Sequence, residues 1–190
     1  FGANKLSMRP QMMTLAKALS SAYVPISAAI VQGDIADCIN ASAIKVGVFG
    51  HGYTYSGHPL GCAVASKVID IYVRERIFDH AAVVGAYLQS QLAKFAEHPL
   101  VGEVSGVGMI GAVELVADKA SKKPFDGMKV GQFCAKAAEE NGLVIRPLGG
   151  NRVAVCPPLI INDEHVDELV EKMGAALNTT LDWVTAEGLV

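Results

Sequence analysis

With 190 residues, 51% of them hydrophobic, the chain is long enough to bury a sizeable core in one or two domains. Charged residues make up only 18% and the net charge is -3, so no basic surface for nucleic acid or anionic membrane is advertised. No apolar run approaches the roughly 20 residues that span a bilayer, and no basic segment followed by an apolar one marks a secretory signal.

Lys17 is the only charged residue between Arg9 and Asp34 and lies among Leu15, Ala16, Ala18 and Leu19. Desolvation disfavours an ammonium and leaves an amine able to attack a carbonyl, which makes Lys17 a candidate nucleophile. The competing reading is an amphipathic helix whose one lysine points at solvent with its stem on apolar surface. Ile26 to Val31 is short, apolar and partly β-branched, which predicts a buried strand of a sheet covered on both faces. Asp34 to Asn40 predicts a short helix. Ala43 to Ser56, rich in glycine and aromatics, predicts a loop placed for function or for contact with another subunit. Pro59 suits the first turn of a helix that runs to Arg76 with Leu60, Val64, Val68, Ile71 and Tyr72 at helical spacing. A second helix has Val84, Leu88, Leu92 and Phe95 on one face. These helices carry the chain from one domain, residues 1–76, into another, residues 77–190.

Beyond Pro99 the pattern changes. Val101 to Val107 and Met109 to Val116 predict strands, and Asp118 to Gly127 a polar loop. Met128 to Asn141 predicts a helix stopped by Gly142. Leu143 to Arg146 and Arg152 to Cys156 predict short strands joined across Gly149-Gly150. Asn162, Asp163 and Glu164 cap a last helix, whose apolar face is Val166, Leu169, Val170, Met173, Leu177 and Leu181. The second domain therefore reads as α+β.

Other chemistry is thinly signalled. Cys38, Cys62, Cys134 and Cys156 form no C-x-x-C pair and read as buried, reduced thiols of a cytoplasmic protein. His51 and His58 have no third metal ligand nearby, so no metal site is expected; His58 before Pro59 is expected to fix the helix entry. Gly106-Val107-Gly108-Met109-Ile110-Gly111 fits G-x-G-x-x-G, but a strand pattern follows it where a dinucleotide site needs a helix. Tight strand packing is the better account. Thr54 is a small hydroxyl just ahead of a helix start, suited to phosphate, although spacing alone favours an ordinary loop residue. Arg146 closes an apolar strand and is either a structural ion-pair group or a fork for a carboxylate.

Three segments decide among these readings. Thr14-Leu15-Ala16-Lys17-Ala18-Leu19-Ser20-Ser21-Ala22-Tyr23-Val24-Pro25-Ile26-Ser27-Ala28 resembles the pyridoxal-phosphate lysine segment of the class III (omega) aminotransferases. His51-Gly52-Tyr53-Thr54-Tyr55-Ser56-Gly57-His58-Pro59-Leu60-Gly61-Cys62-Ala63 is similar to that family's second signature. Gly142-Leu143-Val144-Ile145-Arg146-Pro147, followed by Cys156-Pro157-Pro158-Leu159-Ile160-Ile161, is similar to its C-terminal one. Gln11 stands where the family often has Asp, and Ala22 where it often has Gly; neither change removes a reacting atom.

The resemblance implies the type I PLP-dependent transferase fold, with the end of the large α/β domain followed by the C-terminal α+β small domain. It implies pyridoxal 5'-phosphate as cofactor, Lys17 as its Schiff-base lysine, and phosphate contacts from Thr54 and the backbone of Tyr53 across a homodimer interface. It implies Arg146 as the group that binds a substrate carboxylate and swings aside for amines lacking one. The expected reaction moves an amino group between an amine or amino acid and a keto acid such as pyruvate. An aminomutase, a decarboxylating relative or an inactive truncated fragment are the alternatives. The chain looks like the C-terminal part of a larger enzyme, with the acidic partner of the pyridine nitrogen, the stacking aromatic and a Gly-Ser phosphate turn expected upstream.

Overall fold

The computed structural model describes residues 1–127 and 129–190, which form two compact units, Phe1–Glu75 and Arg76–Val190. The predicted start of one helix, Met128, lies outside the described residues.

The first unit opens with a single helical turn, α1 (Gly2–Lys5), and an antiparallel pair, β1 (Met12–Leu15) and β2 (Ala28–Val31), with Met12 opposite Val31 and Leu15 opposite Ala28. The strand expected near Ile26–Val31 is present, but Ala28, Ala29 and Ile30 are exposed, so the expected cover on both faces is not supplied by this chain. Helix α2 (Gly33–Val46) runs six residues past the expected Asn40. Ala41, Ala43, Ile44 and Lys45 carry nothing that breaks a helix, and termination waits for Gly47 at φ +80°, a conformation that costs glycine no Cβ clash. Helix α3 (Pro59–Arg74) starts as expected: Pro59 occupies the first turn and the His58 side chain accepts the Leu60 N–H.

The second unit holds the core. Helix α4 (Ile77–Leu92) passes through a 3-10 turn (Ala93–Glu97) into β3 (Val101–Val107) and β4 (Ile110–Asp118). Within the expected polar loop, β5 (Lys123–Pro124) pairs with β4. Helix α5 (Lys129–Glu140), β6 (Arg146–Leu148), β7 (Arg152–Val155) and the long α6 (Asp163–Ala186) follow. The strands are antiparallel in the order β3-β4-β7-β6, with β5 beside β4. Val113 and Leu115 of β4 and Val153 and Val155 of β7 are buried with Leu88 and Leu92 of α4, Cys134 and Ala138 of α5, and Val166, Met173 and Leu177 of α6. Each such large aliphatic side chain contributes about 1.5–3 kcal/mol. Cys134 alone among the four cysteines is buried; Cys38, Cys62 and Cys156 are exposed, the first two because α2 buries none of its residues and α3 only Ala65 and Val68.

The strand expected over Leu143–Arg146 begins only at Arg146. Gly142, at φ +77°, ends α5 with its N–H on Glu139 O (2.9 Å), and Leu143 N–H bonds Ala138 O (2.9 Å). This paired helix cap claims the Leu143 backbone before a strand can. The glycine-rich segment is a hairpin turn. A Cβ on Gly85 of α4 would lie 2.8 Å from the Gly108 backbone, and one on Gly111 would collide with Leu92 Cδ1. The glycines thus let α4 lie directly on the β3–β4 hairpin, and Gly111 continues into β4. Asn162 caps α6, its Oδ1 accepting the His165 N–H (3.0 Å).

His98 ties the turn before β3 to α6. Its Nδ1 accepts the Leu100 N–H (3.2 Å), so the neutral ring carries its proton on Nε2, which donates to Asn178 Oδ1 (3.3 Å). Burial pushes the His98 pKa below its usual value; the Asn178 bond opposes this and the Lys119 charge adds to it. The unfolded chain therefore binds more protons than the folded one between the folded pKa and about 6.5. The contribution to stability is complete above about 6.5 and is lost as pH falls from there to the folded value. Urea unfolding at about pH 7.5 and about pH 5.5 should show wild type losing more stability on acidification than His98→Gln, whose side chain does not titrate. Equal losses would remove His98 from the cause.

Candidate active site

Residues 16–27 connect β1 to β2, and Lys17 opens a 3-10 turn (Lys17–Leu19) within them. Neither the buried lysine nor the lysine of an amphipathic helix is observed. Lys17 is exposed, and its backbone sits at φ +52°, followed by Ser21 at +51° and Ala22 at +63°. Non-glycine residues held there cost about 1–3 kcal/mol each, and such strain persists only where surrounding contacts impose it. The contacts are visible. Leu19 N–H bonds Ala16 O (3.1 Å) and Ser20 N–H bonds Lys17 O (3.2 Å). Ser20 is buried and its hydroxyl donates to Val24 O (2.7 Å). From α3, the Tyr72 hydroxyl donates to Ala18 O (2.9 Å). No carboxylate pairs with Lys17 among the described residues.

Thr54 begins a turn that runs to Gly57, whose φ is +69°. The Tyr53 N–H donates to Ser56 Oγ and the Ser56 N–H to Tyr53 O, both at 2.9 Å. His58 N–H bonds Tyr55 O (3.2 Å), and His58 O accepts from Cys62 N (3.1 Å), so the turn is fastened straight onto the start of α3. Thr54 is exposed, and no hydrogen bond holds its hydroxyl among the described residues. The Tyr53 N–H, by contrast, is occupied within the turn. His51 stacks edge-on between Phe49 and Tyr53, with ring centroids 6.0 and 5.8 Å apart. No cluster of three metal-ligating side chains exists among the described residues.

In the second unit, Arg146 opens β6 opposite Ala154 of β7. The structural ion-pair reading of Arg146 has no partner among the described residues, whereas Arg152 on the facing strand pairs with Glu114 at 3.2 Å. Lys17, Tyr53 and Thr54 belong to the first unit and Arg146 to the second.

The sequence profile described as aminotransferase class-III matches residues 1–177. The chain belongs to the class-III aminotransferases. It is 44% identical over 99% of its length to the "uncharacterized aminotransferase y4uB" of Sinorhizobium fredii, and covers 41% of that protein. It is 40% identical over its whole length to the diaminobutyrate–2-oxoglutarate transaminase of Halomonas elongata, again covering 41% of the relative. The crystal structure of the omega transaminase from Pseudomonas jessenii in complex with PMP superposes with a TM-score of 0.93 at 41% identity, over 97% of this chain and 41% of that one. The chain thus spans about two-fifths of the length of these relatives, and the transferase fold expected from the sequence is borne out.

Three residues of this class-III chain escaped the sequence reading. Tyr72 was legible only as one apolar position of a helix, although its hydroxyl reaches the lysine turn. Ser20 stood in an apolar run with nothing to single it out. Asn151 is fully buried at φ +55°, accepts the Gly131 N–H (2.9 Å) and donates to Gly127 O (2.7 Å). It bolts the loop between β6 and β7 to the start of α5. A polar residue after two glycines was its only signal.

Proposed function

We propose that the protein is a pyridoxal-phosphate-dependent transaminase, moving an amino group between an amine or amino acid and a keto acid such as pyruvate. The observation that carries the reading is Lys17, an exposed amine without a carboxylate partner among the described residues, its backbone held in the left-handed region at the start of a hydrogen-bonded turn. The family match over residues 1–177 and the PMP-bound neighbour support it.

The donor set fits the cofactor. Lys17 Nζ would bind its aldehyde carbon, and the Thr54 hydroxyl, exposed ahead of the α3 N-terminus, would donate to a phosphate oxygen, where the helix end also favours negative charge. The Tyr53 N–H would have to leave Ser56 Oγ to do the same, which makes Thr54 the stronger phosphate ligand. When bound, the cofactor would supply an electron sink for the carbon beside the substrate nitrogen, making its proton removable. The Lys17 amine would hold that proton and return it. The Arg146 guanidinium offers two parallel N–H donors to a substrate carboxylate. The protein works as a homodimer in the cytoplasm, with Thr54 serving the neighbouring subunit's site.

Three measurements on the full-length enzyme test these roles. Borohydride reduction and peptide mapping should place the pyridoxyl label on Lys17; label on Lys5, Lys45 or Lys67 would sink the assignment.

Thr54→Ala should weaken cofactor binding roughly ten- to hundredfold, the worth of a hydrogen bond to a charged oxygen at about 1.5–3 kcal/mol. Mixing Lys17→Ala with Thr54→Ala subunits should then restore one intact site per mixed dimer. No gain on mixing would place Thr54 in its own subunit's site or outside the site altogether.

Arg146→Ala should depress kcat/KM for pyruvate and amino acids by about 2–4 kcal/mol while sparing amines without a carboxylate. Equal losses for both substrate types would make Arg146 structural.

A further inference from the structure

We infer that Tyr72 is a positioning residue for Lys17, setting the orientation of the reacting amine through the backbone of the lysine turn. The inference rests on the reading of Lys17 as the cofactor-binding lysine.

Tyr72 lies in the fourth turn of α3 and is half-buried. Its hydroxyl donates to the Ala18 carbonyl (2.9 Å), the peptide group that immediately follows the one joining Lys17 to Ala18. A hydrogen bond at that carbonyl resists rotation about the ψ of Ala18 and the peptide beyond it. The same carbonyl also receives the Ser21 N–H (3.3 Å), and Ser21 begins the second left-handed stretch. Ala18 O is thus the point where a distant helix grips both left-handed segments at once.

The other restraints on the turn are local. Leu19 to Ala16, Ser20 to Lys17 and Ser20 to Val24 all join residues within four positions of one another. Local bonds preserve the shape of a turn but cannot fix it against the rest of the unit. The Tyr72 hydroxyl reaches across 54 residues and references the turn to α3. At the opposite end of α3, Gly61 faces Ile26 Cδ1, where an added Cβ would come within 3.6 Å, so the helix also lies against the end of the same connection. Helix α3 therefore acts as the datum from which Lys17 is aimed. A lysine displaced by a fraction of an ångström loses the alignment that a proton transfer needs, while substrate binding elsewhere is left intact.

Tyr72→Phe removes the hydroxyl and keeps the ring. In the full-length holoenzyme this variant should melt within a few degrees of wild type and keep its KM for the amine donor. Its kcat for the amine half-reaction should fall roughly two- to tenfold, the range of one net hydrogen bond. The pH at which the visible band of the lysine-bound cofactor titrates should move, since that band reports the surroundings of the lysine nitrogen directly. In the cofactor-free protein, amide exchange at Leu19 and Ser20 should quicken. Tyr72→Gln, which retains a donor, should recover part of the kcat and of the titration midpoint. With the pyridoxyl label mapped to Lys17, a wild-type midpoint and kcat in Tyr72→Phe would overturn the inference and leave the transaminase reading standing. Equal losses in Tyr72→Phe and Tyr72→Gln would overturn it too, by making the ring and not the hydroxyl responsible. A label mapped to another lysine would overturn the reading of Lys17 and this inference together.

Discussion

A lysine held in the left-handed region relaxes unless the chain around it forbids relaxation. Lys17 at φ +52° is followed by Ser21 and Ala22 in the same region, and none of the three is glycine. At about 1–3 kcal/mol each, their combined strain is a sizeable part of a domain's 5–15 kcal/mol of net stability. The residues on either side account for its persistence. Ser20 is buried and returns its hydroxyl to Val24 O, so unwinding the turn would strand a buried polar group. The β1–β2 ladder fixes both ends of the connection, with Leu15 opposite Ala28. Closed at both ends and bonded through its middle, the turn resists relaxation and leaves Lys17 exposed.

Helix α3 gathers what the first unit uses. At its N-terminus His58 accepts from the Leu60 N–H, receives the turn that holds Thr54, and passes into Pro59. Near its C-terminus Tyr72 reaches the Ala18 carbonyl. From Pro59 to Tyr72 is thirteen residues, about 20 Å of helix axis. One rigid element thereby sets both a hydroxyl suited to phosphate and the backbone beneath an amine. The second unit solves a different problem. Its β6–β7 loop is held from below by Asn151, whose side chain satisfies groups on two neighbouring segments in a place sealed from water. The glycines of the β3–β4 hairpin let α4 pack closely enough for Gln89 to donate to Gly108 O and Ile110 O.

What the sequence made legible was local. Pro59 after His58, Gly142 after α5, and Asn162 before α6 each act within one helical turn, and each sits where its chemistry requires. The core face of α6 was legible for the same reason, because Val166, Leu169, Met173 and Leu177 repeat at helical spacing. Illegible features depended on distant partners or on competition for one backbone. Leu143 is β-compatible in isolation, but the cap on Ala138 O takes its N–H first. The apolar neighbours of Lys17 suggested burial, yet burial is a property of what packs on a segment, and the turn presents the lysine to solvent. Tyr72 matters through a carbonyl 54 residues away, a pairing that no periodicity encodes.

Lys17 and Arg146, in separate units, are mounted in opposite ways. Lys17 is a long, flexible side chain, so its amine can be aimed only if the backbone beneath it does not move; the hydrogen bonds of the turn and its left-handed geometry serve that end. A reacting atom tolerates little displacement, because rate depends steeply on approach distance. Arg146 opens a three-residue strand with an exposed side chain and no ion pair among the described residues. Arg152, on the facing strand, carries an ion pair to Glu114 at 3.2 Å. An exposed ion pair is worth about 0–1 kcal/mol, so the lack of one costs Arg146 little stability. Rigid backbone under Lys17 and an exposed guanidinium at Arg146 are thus two different mountings, each set by the bonding within its own unit.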